Sequence, residues 1–293
     1  MRPEKIDRLA TVIILTLTGL VGVVLFALLA YLLLSGIPHI SWYFLTSSAE
    51  SFRSGGGIRD QLFNSLYLVV LTLLVSVPLA LCAAIYLSEY APDNRWTNLL
   101  RLAIEVLSSL PSVVVGLFGY LIFVLQWGLD FSLLAGALAL TILNLPMLTR
   151  ACEDALRQVP YLQRQAGLGL GMSKWRVTTK IVLPAALPGI ITGAILSAGR
   201  IFGEAAALIY TAGQSSPAIS YTDWNPFSPT SFLNPLRPAE TLAVHIWKVN
   251  SEGLVPDARA VSNGSVAVLI LTILIFNLLA RYIGYLIKRR LAK

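Results

Sequence analysis

Six stretches of this 293-residue chain are long and apolar enough to cross a bilayer, at roughly 11–36, 65–88, 102–126, 132–149, 187–210 and 265–287. A spanning helix needs about 20 mainly apolar residues, because it rises 1.5 Å per residue through a hydrocarbon core about 30 Å thick. The first stretch carries no charge from 11 to 36, which is too long for the apolar part of a cleaved leader. No small-residue cleavage site and soluble domain follow it, so it reads as a retained helix. The fourth is the shortest, and Pro146 near its end predicts a tilted or broken terminus. Composition agrees: 56% of residues are hydrophobic and 13% charged, against about 25% charged in a soluble domain. Too few polar side chains exist to cover a water-facing surface, which excludes a disordered chain, a nucleic-acid module and a soluble enzyme. The expected fold is all-α and integral to the membrane.

Basic residues set the orientation. With the N-terminus inside, the inner segments hold 16 of the 22 Lys and Arg, and the outer segments hold Arg53, Arg59, Arg237, Lys248 and Arg259. Arg200 lies within a span. This bias predicts both termini in the cytoplasm, with 1–10 an inner tail and 11–290 the transmembrane domain. The net charge of +7 is then mainly a topology signal and only weakly a hint of an anionic cargo. Segment 150–186 faces the cytoplasm and 211–264 faces outward. The outward piece Glu240-Thr-Leu-Ala-Val-His-Ile-Trp247 fits a short amphipathic helix or an alternating strand. No repeat of 20–50 residues is visible, which excludes a solenoid.

The chemistry expected of an enzyme is missing. Gly167-Leu-Gly-Leu-Gly-Met-Ser-Lys174 lacks the Gly-Lys-Ser/Thr order of a phosphate-cradling loop and follows a polar helical stretch, not a strand. It is a poor dinucleotide fingerprint for the same reason. His39 and His245 sit apart in outward segments and read as surface or interfacial, so no metal centre is expected. Cys82 and Cys152 make no framework. No Gly-x-Ser-x-Gly elbow is present. No catalytic residue is assigned, and the energy for transport must come from a partner subunit, from an ion gradient, or from neither.

Residues 151–184 spell two short helices at an angle. Leu156, Leu162 and Ala166 alternate with Glu153, Asp154, Arg157 and Arg164, Pro160 suits a first turn, and Gly171 is placed to end the run. Ser173 opens a second run that Pro184 stops. Pattern alone allows a docking knob or a solvated linker, although loops beyond about 12–15 residues usually serve a function. The spacing Gln165-Ala166-Gly167, Gly171, Ile181-x-Leu183-Pro184 resembles the EAA motif of ABC importer permeases: Glu-Ala-Ala, three residues, Gly, nine residues, Ile-x-Leu-Pro. The resemblance implies a coupling helix seated in a cleft of a separate ATPase, formed by Leu162, Gln165, Ala166, Gly167, Gly171, Ile181, Leu183 and Pro184. Two positions depart from the motif. Gln165 replaces Glu and forgoes a charge-assisted contact, and Gly167 stands where Ala is common.

Further stretches are similar to the phosphate importer permeases. They include Gly56-Gly57-Ile58, Ala84-Ile-Tyr-Leu-Ser-Glu-Tyr-Ala91, Leu110-Pro-Ser-Val-Val-Val-Gly116, Ala155-Leu-Arg-Gln-Val-Pro160 and Gly199-Arg-Ile-Phe-Gly-Glu-Ala205. Thr241-Leu-Ala-Val-His-Ile-Trp247 resembles the PstA-type subunit more than its PstC-type partner. The likeness covers about 55–290. It implies a type I importer permease of MetI-like fold with six helices, in a bacterial inner membrane. The implied partners are a PstC-type second permease, two PstB-type ATPase subunits that carry the ATP and Mg, and a PstS-type periplasmic phosphate-binding protein. No cofactor is expected on this chain itself, and no nucleic acid.

Arg200 lies about 20 Å into a helix starting near 187, where an ionisable group costs at least about 2.5–3.5 kcal/mol and needs a polar interior or a partner. Glu204, four residues on, is expected on the same helical face. The pair reads either as a lock between helices or as an anion contact in which Glu204 steadies the guanidinium, whose planar fork suits oxyanions. Glu105 is expected to pair with Arg101 one turn away. Ser108, Ser109 and Ser112 beside Pro111 either line the path at a helix break or bond their own helix. Rival readings are a permease for molybdate or sulfate, a gradient-driven transporter, which would need inverted repeats that are not evident, and a scaffold reporting phosphate status.

Overall fold

Uninterrupted apolar sequence gives long helices, and proline, glycine and capping residues cut them. A computed structural model of the chain describes residues 3–50, 54–252 and 255–291; Arg2, Arg53 and Lys293 of the charge tally lie outside these. Twelve α-helices run in chain order through the described residues: α1 Pro3–Gly36, α2 Trp42–Thr46, α3 Arg59–Ile85, α4 Arg95–Ser108, α5 Ser112–Gly119, α6 Leu133–Arg157, α7 Tyr161–Gly169, α8 Lys174–Val177, α9 Leu183–Gly203, α10 Ala206–Thr211, α11 Leu242–Glu252 and α12 Ala258–Leu291. Wider π-helical turns extend α3 through Tyr86–Tyr90, extend α5 through Tyr120–Gln126, and join α8 to α9 through Thr178–Val182. The described residues contain no strand, only an isolated bridge between Ser220 and Ser231.

Helices α3, α6 and α9 make the centre and bury two apolar layers. One holds Leu68, Leu140, Ile201, Phe202 and Leu208, and the other holds Ala84, Leu148, Leu156, Val182 and Ile190. Helix α6 meets α9 through small residues: a Cβ at Gly189 would lie 2.6 Å from the Cβ of Ala155, and one at Gly193 would lie 2.9 Å from that of Ala151. Where lipid removes the hydrophobic drive between helices, such close backbone approach supplies the contact energy. Helices α1 and α12 cross outside this centre at Gly36, where a Cβ would sit 2.3 Å from the Asn263 carbonyl oxygen. Most large side chains of α1 are exposed, as a lipid-facing helix requires.

The bundle has two distinct ends. Leu133 at the start of α6 donates its N–H to the Arg237 carbonyl, so 212–252 covers that end and is here called the strap. Helix α6 finishes at Arg157 beside α7 and α8, which form an elbow at the other end. Within the strap, the segment left undecided between helix and strand is helical, as α11.

Several expected boundaries move. The third stretch is not one rod: Arg95–Ser108 and Ser112–Gln126 are bent by 97°, so among the described residues five helices are long and apolar enough to span, or six with this pair taken as one. Pro111 removes an amide donor and disfavours helix at Leu110. Conversely, α6 runs through Pro146 without breaking and takes over the first residues of segment 150–186. Helix α9 begins at Leu183, before the expected 187, and ends at Gly203. His245, expected at a surface, is only 6% exposed.

Candidate functional site

The elbow is assembled from capping and one buried ion pair. Helix α7 ends where Gly171 adopts φ +77°, the left-handed conformation that glycine takes without a Cβ penalty, and the Met172 N–H returns to the Gly167 carbonyl at 3.2 Å. Ser173 then caps α8, its hydroxyl accepting the Arg176 N–H. Gly167 is buried against the second half of the motif: a Cβ there would come 2.7 Å from Ile181 Cδ1 and 2.9 Å from Val177 Cγ2. The spacing between Gly167 and Ile181 is therefore a packing constraint. An alanine, common at this position in the EAA motif, would need those side chains to shift.

Outward from this join, Leu162 is 78% and Leu170 83% exposed, with Tyr161, Leu168 and Trp175 beside them. Gln165 and Ala166 are also exposed, and the Gln165 amide donates to the Tyr161 hydroxyl at 2.8 Å. Leu183 and Pro184 are half-buried where α9 leaves the elbow. An apolar tip carried on two short helices is a shape made to be covered.

Arg164 holds this tip to the bundle. Its Nη2 lies 2.9 Å from Glu89 Oε1 and also donates to the Leu156 carbonyl at 2.8 Å, and its Nη1 donates to the Val159 carbonyl. Glu89 sits in the π turn ending α3, and Leu156 belongs to the last turn of α6. One buried guanidinium thus fastens α7 to the ends of two central helices, and Lys174 adds a cation–π contact over the Tyr90 ring at 4.9 Å. Arg164 and Glu89 are 75 residues apart, and no local periodicity in the sequence links them.

Nearby, Glu153 accepts from Arg101 Nε at 3.0 Å and pairs with Arg157 Nη2 at 3.0 Å, while Arg150 lies 3.4 Å from Glu105. The expected Arg101–Glu105 pair gives way to these contacts between α4 and α6. The 97° bend places α4 against α6, where partners on another helix are within reach.

The second group of expected residues lies on α9. Arg200 is half-buried, and none of the ion pairs among the described residues involves it. Its face of α9 is open, with Leu196 exposed and nothing within 4 Å of a Cβ at Gly199 or Gly203. Glu204 forms no ion pair with Arg200 among the described residues. The helix ends at Gly203, Glu204 is extended at φ −79° and ψ 122°, and its carboxylate accepts the Ala207 N–H, capping α10. The arrangement expected from four-residue spacing therefore does not form. Ser108 and Ser109 bond the carbonyls of Glu105 and Val106 in their own helix at 2.7 Å each, and Ser112 begins α5.

At the strap end the structure gathers polar groups that the sequence left scattered. Glu240 accepts from Gln61 at 2.8 Å and contacts His245 Nδ1 at 3.1 Å, with Lys248 at 3.8 Å. Burial pushes the Glu240 carboxyl up, but His245, Gln61 and Lys248 together outweigh it and hold the group below the usual carboxylate range. Asn64 accepts from Arg237 Nη2 at 2.7 Å and donates to the Glu240 carbonyl at 2.9 Å. Among the described residues no group of histidine, cysteine or carboxylate side chains is arranged to hold a metal.

Comparison with known proteins places this architecture. Residues 76–293 match the family described as "Binding-protein-dependent transport system inner membrane component". The chain is 48% identical over 291 residues, 99% of each chain, to a Bacillus subtilis protein named "Probable ABC transporter permease protein YqgI". It is 34% identical over 282 residues to "Phosphate transport system permease protein PstA 2" of Mycobacterium bovis, covering 96% of this chain and 86% of that one. Among solved structures, a bacterial alginate ABC transporter in complex with a pentasaccharide-bound periplasmic protein aligns over 97% of this chain and 96% of its own, with a TM-score of 0.67 and 14% identity. The MetNI methionine ABC transporter aligns over 79% of this chain and 94% of its own, with a TM-score of 0.57 and 16% identity. These two share the fold.

Proposed function

The chain belongs to the family of binding-protein-dependent transport system inner membrane components, and from that premise we propose that it is the permease subunit of an ATP-driven importer of inorganic phosphate. The observation that carries the coupling is the elbow. Its exposed tip has an apolar surface for a motor protein to seat, and Arg164 links it to α3 and α6 while Thr178–Val182 leads into α9. Displacement of the tip is passed to three central helices at once. The elbow end then faces the cytoplasm and the strap end faces the periplasm, in accord with the distribution of Lys and Arg. ATP and Mg belong to the motor subunits.

Phosphate as cargo is supported by the PstA relatives and by Arg200, a cation with no carboxylate partner among the described residues, on an uncovered helix face. A second permease seated on that face would enclose Arg200 between the two subunits. Interfacial burial strengthens its hold on an oxyanion, because the competing water is removed. The exposed Trp224 and Phe227 of the strap suit contact with a phosphate-binding protein outside.

Reconstitution of the chain with its ATPase, second permease and binding protein tests this. Phosphate-loaded binding protein should stimulate ATP hydrolysis and phosphate uptake together. Stimulation by sulfate- or molybdate-loaded protein alone would replace the cargo, and uptake by this chain without any ATPase would overturn the mechanism.

A further inference from the structure

The strap buries a guanidinium that transport through Arg200 leaves unused. Arg237 is 2% exposed, and its Nη2 donates to Asn64 Oδ1. Its Nε and Nη1 have no acceptor among the described residues, and no carboxylate there lies within ion-pair distance of it. The nearby acids are engaged elsewhere: Asp60 binds Arg59 and the Tyr221 hydroxyl, and Glu240 binds Gln61 and His245. Burial disfavours the charge, yet a guanidinium does not lose its proton in a protein. A buried cation with open donors is expensive, and a native structure retains such a group where something else supplies the acceptors. Arg164 is the internal contrast. It is also largely buried, but its nitrogens go to a carboxylate and two carbonyls, as a purely structural arginine requires.

We propose that Arg237 is an anion-binding residue on the periplasmic side, taking a tetrahedral oxyanion on Nε and Nη1. Several acceptor oxygens on one small ligand match donors that point in different directions. The position is occluded in this conformation. Tyr67 and Tyr221 are close enough to act electrostatically on Arg237, and their rings pack with Phe63 and Phe232. Loading requires that aromatic cover to move, and the cover continues to Trp224, which packs edge-on to Phe232 while remaining exposed. A partner docking on Trp224 is therefore in contact with the cover of the site. The use of the site in phosphate import rests on the proposed function; binding of an anion by Arg237 does not.

The test uses the complete permease–ATPase complex in nanodiscs without binding protein, in an Arg200→Gln background so that Arg200 cannot report. Radiolabelled phosphate binding is measured at equilibrium, with sulfate and chloride as competitors. Saturable binding is expected, weakened at least tenfold by Arg237→Gln and partly restored by Arg237→Lys. Asn64→Asp is the second variant, because it places a carboxylate on the guanidinium with little change in size. It forfeits the Asn64 donor to the Glu240 carbonyl, so a modest fall in melting temperature is expected, and loss of anion binding by a complex that still elutes intact on size exclusion separates loss of the site from loss of the fold. Sulfate binding that depends on Arg237, with phosphate excluded, would sustain the site and overturn phosphate as the cargo. Equal binding by wild type and Arg237→Gln, or no saturable binding of any of the three anions, would overturn the site.

Discussion

Two arginines in this chain show how surroundings decide what one side chain does. Arg164 is fully engaged, and removing it leaves the Glu89 carboxylate with the Ser88 hydroxyl but no cation, where breaking a buried pair typically costs up to about 3–5 kcal/mol. Arg164→Ala should therefore loosen the elbow, seen as faster hydrogen exchange over 161–170, and should uncouple ATP hydrolysis from uptake. Replacing both partners by methionine should restore much of the stability without restoring coupling, since apolar packing can offset a lost buried pair but does not direct a force. Arg200, half-buried and unpaired, should behave differently. Arg200→Gln is expected to cut phosphate uptake by more than tenfold with little change in melting temperature, and Arg200→Lys should retain part of it. Normal uptake by both variants would remove Arg200 from the path. Glu204 carries a separate lesson. Its spacing from Arg200 suggests a pair, but Gly203 ends the helix and the carboxylate accepts the Ala207 N–H instead.

Elements behave as their ends dictate. The elbow was legible because its punctuation is local: glycine at a left-handed position, serine at a cap and proline before a helix each act on their own backbone. Gly171→Asp places a side chain where the backbone disfavours one, at a cost of about 1–2 kcal/mol, and adds charge beside an apolar tip. It should abolish ATP hydrolysis linked to transport while membrane insertion, measured by protease protection, stays intact. The strap was not legible in the same way. Its polar cluster joins Gln61 and Asn64 of α3 to residues more than 170 positions later, and His245 follows a pattern that also suits a surface helix. One consequence is a pH dependence. The Glu240 carboxyl is held below its usual range when folded, so its contribution is complete above about pH 4.3 and is lost as pH falls through the lower folded value. Melting temperature should drop on acidification through that window, and Glu240→Gln should flatten the drop.

At the scale of the whole molecule, one chain presents more apolar surface than it covers. Part of that surface suits lipid, as along α1, but the elbow tip and the open face of α9 adjoin the side chains proposed to act in coupling and transport. Purification in mild detergent should bring down an ATPase and a second permease, and a triple Leu162→Ser, Leu170→Ser, Trp175→Ser variant should lose the ATPase while keeping the permease partner. Recovery of this chain alone under conditions that preserve a related importer would contradict the assembly. The sequence by itself determined the membrane class, the approximate apolar helices and the helix breaks of the elbow, because hydropathy and turn chemistry are written over a few neighbouring residues. Only the tertiary structure decided the bend at Pro111, the unbroken course through Pro146, the bond of Glu204 to the Ala207 N–H, and the partners of Arg164 and Arg237. Those outcomes depend on which helix lies alongside, and charged groups in a low-dielectric interior take their partners from packing and not from spacing along the chain.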